Sequence, residues 1–124
     1  MKNTIRRQTR YALLVSVCLI FSLQGCSRET PEKFIASGKS YLAKQDIPAA
    51  LIQFKNAVQK APNSAEARYL LGIAFEEGDD PSSAEIELRK AASAGYSPEL
   101  VTPALLRVLL QQGEFEKAVA EALE

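Results

Sequence analysis

The chain has 124 residues, enough for one small domain and a leader, with 15 basic and 15 acidic side chains. Lys2, Arg6, Arg7 and Arg10 lie in the first 25 residues, so residues 26–124 retain 11 basic against 15 acidic side chains, a net charge of −4. This acidic body argues against nucleic-acid binding, which needs clustered cations. Histidine is absent, which removes the commonest general base and metal ligand, and no nucleophile–base pair is visible. We expect no enzyme, no cofactor and no metal site.

Residues 1–25 have the pattern of a signal peptide. The basic start precedes the apolar run "YALLVSVCLIFSL" at residues 11–23, which is shorter than the roughly 20 residues of a membrane span. Leu23-Gln24-Gly25-Cys26 then resembles the bacterial lipobox, which implies cleavage before Cys26 and lipid on its thiol. The alternatives are an ordinary signal peptide, or an N-terminal anchor helix with an incidental cysteine.

The lipobox resemblance also implies a location. Cys18 would leave with the signal peptide, and residues 26–30 would form a lipidated tether on which several acyl chains give stable membrane anchoring. Ser27 stands where aspartate would favour inner-membrane retention. The chain is therefore expected in the cell envelope, anchored to the outer membrane and facing the periplasm.

The remaining chain repeats with a period of 34 residues. Residues 31–64, 65–98 and 99–124 align without gaps, the last row being incomplete. This is the period of the tetratricopeptide repeat (TPR), in which each unit is a pair of antiparallel helices. The predicted fold is therefore an all-α solenoid of about two and two-thirds such repeats over residues 31–124.

Small and aromatic residues occupy the positions where paired helices of this family pack closely. The predicted repeat-packing residues are Phe34, Gly38, Tyr41, Ala50, Phe54, Ala57, Pro62, Leu71, Gly72, Phe75, Ala84, Leu88, Ala91, Phe115 and Ala118. Four residues depart from the family pattern: Arg68 and Thr102 replace its first aromatic residue, Tyr96 stands in the place of its proline, and Leu106 replaces a small residue.

Capping residues, prolines and glycines predict the helix ends. Asn63 with Glu66 resembles a capping box. Pro103 would interrupt a helix that began near Glu99, so Thr102 is the easier start for the fifth helix. The expected helices lie near residues 31–44, 47–60, 65–77, 81–94, 102–112 and 115–124.

A narrower resemblance rests on residues 31–124. The stretches "AEARYLLG", "AEIELRKA" and "GYSPELVTP" resemble the opening repeats of the large TPR lipoproteins of PEP-CTERM (exosortase) systems. Those proteins are longer, which implies an N-terminal portion or a truncated form here. The resemblance implies a membrane-anchored scaffold for protein partners, linked to PEP-CTERM protein sorting and to exopolysaccharide production or export. The alternative is a structural TPR lipoprotein of outer-membrane assembly with no link to exopolysaccharide.

A partner-binding groove is expected on the face formed by the first helix of each unit. Apolar side chains mixed with isolated charges suit an extended peptide or a partner helix. The predicted groove residues are Lys39, Leu42, Tyr69, Ile73, Glu76 and Arg107. Lys39 and Ile73 stand where a carboxylate clamp would need asparagine, which argues against that specificity. The alternative is that some of these residues only pack against the next repeat.

Four acidic residues follow one another closely at the end of the third predicted helix. Glu76, Glu77, Asp79 and Asp80 are oxygen ligands of the type that Ca²⁺ prefers, but they lack the alternating spacing of an EF-hand loop. A solvated loop with Asp80 as a helix cap is the simpler interpretation.

Overall fold

The computed structural model describes residues 29–123. Cys26, the predicted signal peptide and most of the predicted tether therefore lie outside the described residues. Within residues 29–123 the secondary structure is entirely helical, in six helices: α1 Pro31–Ala43, α2 Ile47–Lys60, α3 Ala65–Glu77, α4 Pro81–Ser93, α5 Pro98–Gln111 and α6 Phe115–Ala122. None of the helices in this part of the chain is long and apolar enough to cross a membrane. The predicted all-α solenoid is confirmed.

The helices form two layers. Turns of three and four residues alternate along the chain, and such short connections leave consecutive helices antiparallel. Each helix packs on the next one, and the odd-numbered helices also contact each other across units, α1 with α3 and α3 with α5. Among the described residues, α2 and α4 do not contact each other. The layer of α1, α3 and α5 is therefore the tighter, inner layer of the stack.

The turns inside the three helix pairs share one backbone geometry. Gln45, Asp79 and Gly113 stand 34 residues apart, and their φ angles are 60°, 61° and 76°. In each turn, the N–H of the next residue donates to the carbonyl five residues earlier, which is the 6→1 bond of a Schellman motif. The 34-residue period of the sequence is thus also a period of the backbone.

Helix caps follow the same period in two of the three pairs. The Asp46 carboxylate accepts from the Ala49 N–H at 3.2 Å, and the Asp80 carboxylate accepts from the Ser83 N–H at 3.1 Å. Hydrogen bonds from Ser83 lower the pKa of Asp80. Glu114 occupies the equivalent position, but its side chain makes no cap bond. Hence α6 begins with less local stabilisation than α2 or α4.

The prediction for the start of the fifth helix was wrong. Helix α5 begins at Pro98, four residues earlier than expected, and Pro103 lies inside it. Pro103 cannot donate to the carbonyl of Glu99, but Glu99 is exposed, so water can satisfy that carbonyl. Starting at Pro98 keeps Val101 in the helix, where it is buried, and such burial is worth about 1.5–3 kcal/mol.

One capping prediction was also wrong. Helix α3 is capped by Ser64, whose hydroxyl accepts from the Ala67 N–H at 3.2 Å, and not by Asn63. Thr30 and Ser97 are the N-cap residues of α1 and α5, but neither side chain makes a cap bond. The other five helices begin at the predicted residues and end within two residues of the prediction.

The core lies between the layers and contains chiefly small and aliphatic side chains, with Phe34 and Phe54 as its buried aromatics. Thirteen of the predicted packing residues lie in or against this core: Phe34, Gly38, Tyr41, Ala50, Phe54, Ala57, Leu71, Gly72, Phe75, Ala84, Leu88, Ala91 and Ala118. Two predicted packing residues differ. Pro62 is exposed in the turn before α3, and Phe115 is 64% exposed because no described helix follows α6.

Candidate functional site

The candidate site is the solvent side of α1, α3 and α5, called the inner face below and defined by Lys39, Glu66, Glu76, Leu100, Arg107 and Leu110. These side chains come from helices that are adjacent in space but belong to three different units. The repeat brings them together, because equivalent positions of successive first helices lie next to each other.

The strongest polar contact of the inner face joins α3 to α5. Nε and Nη2 of Arg107 donate to the two carboxylate oxygens of Glu76 at 2.7 Å and 3.0 Å. This two-bond geometry fixes the guanidinium in orientation as well as in position. The Glu76 carboxylate is mostly covered, whereas half of the Arg107 side chain stays exposed. Hydrogen bonding to Glu76 raises the pKa of Arg107 further above its usual value.

A second ion pair joins α1 to α3. Lys39 Nζ lies 2.7 Å from Oε1 of Glu66, and both side chains are about half exposed. An exposed pair of this kind contributes little to stability. Its consequence is electrostatic, because Lys39 and Glu66 largely neutralise each other on the inner face.

The Tyr69 side chain is only partly exposed to solvent. Its ring stacks on Tyr96, from the turn between α4 and α5, with centroids 4.7 Å apart and planes inclined by 23°. Burial, followed by the nearby Tyr96, raises the pKa of Tyr69. Ile73 also packs against the core cluster of α4 and α5, and Leu42 packs against that of α2 and α3. Three of the six predicted groove residues therefore help to pack adjacent units.

Two exposed leucines supply apolar surface on the inner face. Leu100 and Leu110 lie near the two ends of α5, on either side of Arg107, and about half of each side chain is exposed. The 34-residue register predicts both leucines on this face, because their positions equal those of Glu66 and Glu76 one period earlier.

The four acidic residues at the end of α3 and in the following turn have separate roles. Glu76 binds Arg107, and Asp80 caps α4, so neither carboxylate is free for a cation. In the part of the chain that the structure describes, no three His, Cys, Asp or Glu side chains are close enough to hold a metal ion.

One polar cluster lies away from the inner face and was missed. Arg68 donates to the Pro62 carbonyl at 2.8 Å and to a Glu87 oxygen at 2.8 Å, and Lys90 binds the other Glu87 oxygen at 2.7 Å. Arg68 occupies the position of the family's first aromatic residue. An ion pair between α3 and α4 thus replaces an apolar contact there.

Comparisons with known proteins agree with this architecture. The family model described as Tetratricopeptide repeat matches residues 35–98, just over half of the chain. A search of curated proteins found no significant match. The match begins within α1, covers α2 to α4 and ends at the first residue of α5, and the third helix pair continues the same 34-residue geometry. The chain belongs to the tetratricopeptide-repeat family.

Proposed function

We propose that this chain is a non-enzymatic scaffold that binds protein partners on its inner face. The observation that carries the proposal is the Glu76–Arg107 pair with exposed Leu100 and Leu110 beside it. A half-exposed arginine held rigidly between two apolar side chains is typical of residues that contribute strongly to protein–protein affinity. The family membership supports the same class of function.

The chemistry of the inner face favours an extended peptide or an amphipathic helix as the ligand. Its carboxylates Glu66 and Glu76 already bind Lys39 and Arg107, so no unpaired basic cluster is available for a strongly acidic ligand. Leu100 and Leu110 stand 10 residues apart on one helix, which is about 15 Å at 1.5 Å per residue. A partner helix with two apolar anchors about three turns apart matches this spacing.

Arg107→Ala is expected to weaken partner binding by about tenfold or more, because it removes a preorganised contact from the centre of the apolar surface. The measurement is capture of envelope proteins from cell extracts by the immobilised full chain, followed by titration of the captured partner. Arg89→Ala is the matched control. Arg89 is also half exposed and bonds Glu85 and Glu121, but it lies on the outer layer. Equal binding by wild type and Arg107→Ala would show that the inner face is not the binding site.

We further propose that the scaffold is anchored to the outer membrane through lipid on Cys26 and faces the periplasm. The support is the sequence Leu23-Gln24-Gly25-Cys26 behind an apolar run. Cys26→Ser is expected to abolish incorporation of labelled fatty acid and to release the chain from the membrane fraction. Cys18→Ser, inside the apolar run, should leave labelling unchanged. Fatty-acid labelling of Cys26→Ser at the wild-type level would contradict the proposal.

The process that the scaffold serves is proposed from the resemblance of residues 31–124 to TPR lipoproteins of PEP-CTERM systems. We propose a link to exosortase-dependent protein sorting and to exopolysaccharide production or export. Neighbouring exosortase or glycosyltransferase genes would support this link. A general envelope defect on deletion, with normal polymer export, would instead favour a structural lipoprotein of outer-membrane assembly.

A further inference from the structure

The part of the chain from Cys26 onward has an uneven charge. Residues 26–64 carry six basic and three acidic side chains, a net charge of +3. Residues 65–124 carry five basic and twelve acidic side chains, a net charge of −7, and the two parts together give the −4 of residues 26–124. The positive charge is therefore concentrated in the first helix pair and in the segment that joins this pair to Cys26.

The first helix pair has one side that faces away from the rest of the stack, called the N-terminal face below. The 34-residue register identifies its residues, because their counterparts one period later face the preceding unit. The N-terminal face is formed by Lys33, Ser37, Ser40, Lys44 and Lys60.

Contacts of the second unit fix this orientation. The counterparts of the four residues from α1 and its C-cap are Ala67, Leu71, Ala74 and Gly78. The first three belong to core clusters that α3 shares with α2, and a Cβ added to Gly78 would lie 3.3 Å from Ile47 of α2. Ala94, the counterpart of Lys60, borders a cavity together with Asn63 of the turn before α3. The same positions in the first unit therefore point away from α3.

Three lysines give the N-terminal face its charge. Lys33, Lys44 and Lys60 are all exposed, and within residues 29–123 none of them makes an ion pair. The Glu29 carboxylate borders the same surface, because Glu29 and Lys33 line one shallow cavity. With Glu29 included, the face keeps a net charge of +2.

The other two lysines of the first pair contact the second unit instead. Lys39 binds Glu66 at 2.7 Å on the inner face. The Lys55 Nζ lies 5.2 Å from the centre of the Phe75 ring of α3. Their charges are therefore engaged inside the stack, whereas those of the N-terminal face are available to a ligand outside it.

The sign of this charge is more than the solubility of the stack requires. A terminal repeat needs a polar outer surface, and polar side chains of either sign would provide it. The second and third units carry mostly acidic side chains, so a surface of the same composition would be acidic. The exposed lysines of the N-terminal face add an attraction for anions that the rest of the stack lacks.

The N-terminal face lies close to the proposed site of lipid attachment. Five residues, 26–30, precede Pro31, and five residues span at most about 17 Å. The Debye length at physiological ionic strength is about 8 Å. An anchored chain would thus hold the start of α1 within about two Debye lengths of the lipid headgroups, where lysine side chains are attracted to anionic lipids.

We propose that the N-terminal face docks on the anionic phospholipid headgroups of the membrane that holds the lipid anchor. This proposal rests on the proposed lipidation of Cys26. Lys33, Lys44 and Lys60 contact the headgroup phosphates, and the acidic remainder of the chain is repelled by the same surface. The stack therefore stands away from the membrane, and its inner face stays open to protein partners.

The first test uses the chain produced in its own host, purified in detergent and reconstituted in lipid vesicles. A photo-reactive phenylalanine analogue replaces Ser40 on the N-terminal face, or Ala92, which is exposed on α4. Position 40 should give about tenfold more lipid adduct in vesicles that contain phosphatidylglycerol than in vesicles of phosphatidylcholine alone. High salt should remove this difference. Position 92 should give little adduct in either kind of vesicle.

The second test removes the charge of the N-terminal face. The triple variant Lys33→Gln, Lys44→Gln, Lys60→Gln should lower the adduct at position 40 by about tenfold in vesicles that contain phosphatidylglycerol. The matched control lowers the net charge equally at exposed positions of α4 and α6: Arg89→Gln, Lys90→Gln and Lys117→Gln. It should keep the adduct within about twofold of the wild type. Circular dichroism checks that both triple variants remain helical.

The outcomes separate docking from anchoring. A chain that floats with both kinds of vesicle but gives equal adduct at position 40 would overturn the docking and leave the anchoring intact. A chain that fails to float with phosphatidylcholine vesicles would overturn the anchoring and the docking together. An equal fall in both triple variants would also contradict the assignment to the N-terminal face. In cells, an adduct at position 40 with a polypeptide and none with lipid would assign this face to an acidic protein and overturn the proposal.

Discussion

Phe54→Ala is expected to lower the free energy of unfolding by about 3–5 kcal/mol, the usual range for truncating a fully buried phenylalanine. The Phe54 side chain has no solvent exposure and packs with Ala50, Leu71 and Ala74 between α2 and α3. Its ring also lies over Gly38 of α1. One substitution therefore opens a cavity at a point where three helices meet. The free energy of unfolding of a native domain is only about 5–15 kcal/mol, so this loss is a large fraction of the total stability.

Urea unfolding followed by circular dichroism measures this effect. Ile52→Ala is the control on the same helix, and it should change stability by no more than about 0.5 kcal/mol because that side chain is mostly exposed. A loss below about 1.5 kcal/mol for Phe54→Ala would mean that the first two units do not pack through this ring as the structure describes.

The fold could be predicted from the sequence because the period acts at two levels. The same 34-residue spacing places small residues at the close contacts, and it places the left-handed turn residues Gln45, Asp79 and Gly113. Local capping signals then determine where most helices begin, as Asp46 and Asp80 show by bonding the first turns of α2 and α4. Local and long-range signals specify the same fold, and this agreement allows the fold to be predicted from the sequence.

Pro103 shows where local reasoning fails. Taken alone, a proline inside a helix is unfavourable, and the sequence rule places the helix start next to it. The structure keeps Pro103 inside α5 because the missing N–H affects only the exposed Glu99 carbonyl, while Val101 and Leu105 gain full burial. Burial over the whole length of α5 decides the outcome, and only the packed structure shows it.

The inner face was predicted less well than the fold, for a geometric reason. The period identifies which residues share a face, but it does not show whether a side chain turns to solvent or to its neighbour. Tyr69 turns to Tyr96, and Arg107 turns back to Glu76. Opposite charges at separations of 27 and 31 residues, as in Lys39–Glu66 and Glu76–Arg107, are the signal that could have revealed the pairs.

Each unit pairs a large residue on one helix with a small residue on the other. Gly38 faces Phe54, and Gly72 faces Leu88. One period later the register places Leu106 opposite Ala122, so the large residue has moved from the second helix to the first. The departure of Leu106 from the family pattern is thus matched by the small residue at 122, and the combined size of the pair is roughly conserved.

Gly38→Ala is expected to lower the free energy of unfolding by about 1–3 kcal/mol through overpacking. An added Cβ would lie 2.5 Å, 2.7 Å and 2.8 Å from three carbons of the Phe54 ring, and that ring is fully buried. The sign of the change in the free energy of unfolding distinguishes overpacking from helix propensity. Helix propensity alone would make alanine more stable than glycine by about 1 kcal/mol. The exposed Ala36→Gly on the same helix measures that term and should be destabilising.

The cause of the clash can be tested by removing the ring. In the Phe54→Ala background, Gly38→Ala should become stabilising, because the clash disappears and only the propensity term is left. Urea unfolding of the two single variants and the double variant gives the coupling free energy, for which we expect about 2 kcal/mol or more. Gly72→Ala is the control: it clashes with Leu88 instead, so Phe54→Ala should not rescue it. If Gly38→Ala has the same effect with and without the ring, the close approach of α1 and α2 at Gly38 is wrong.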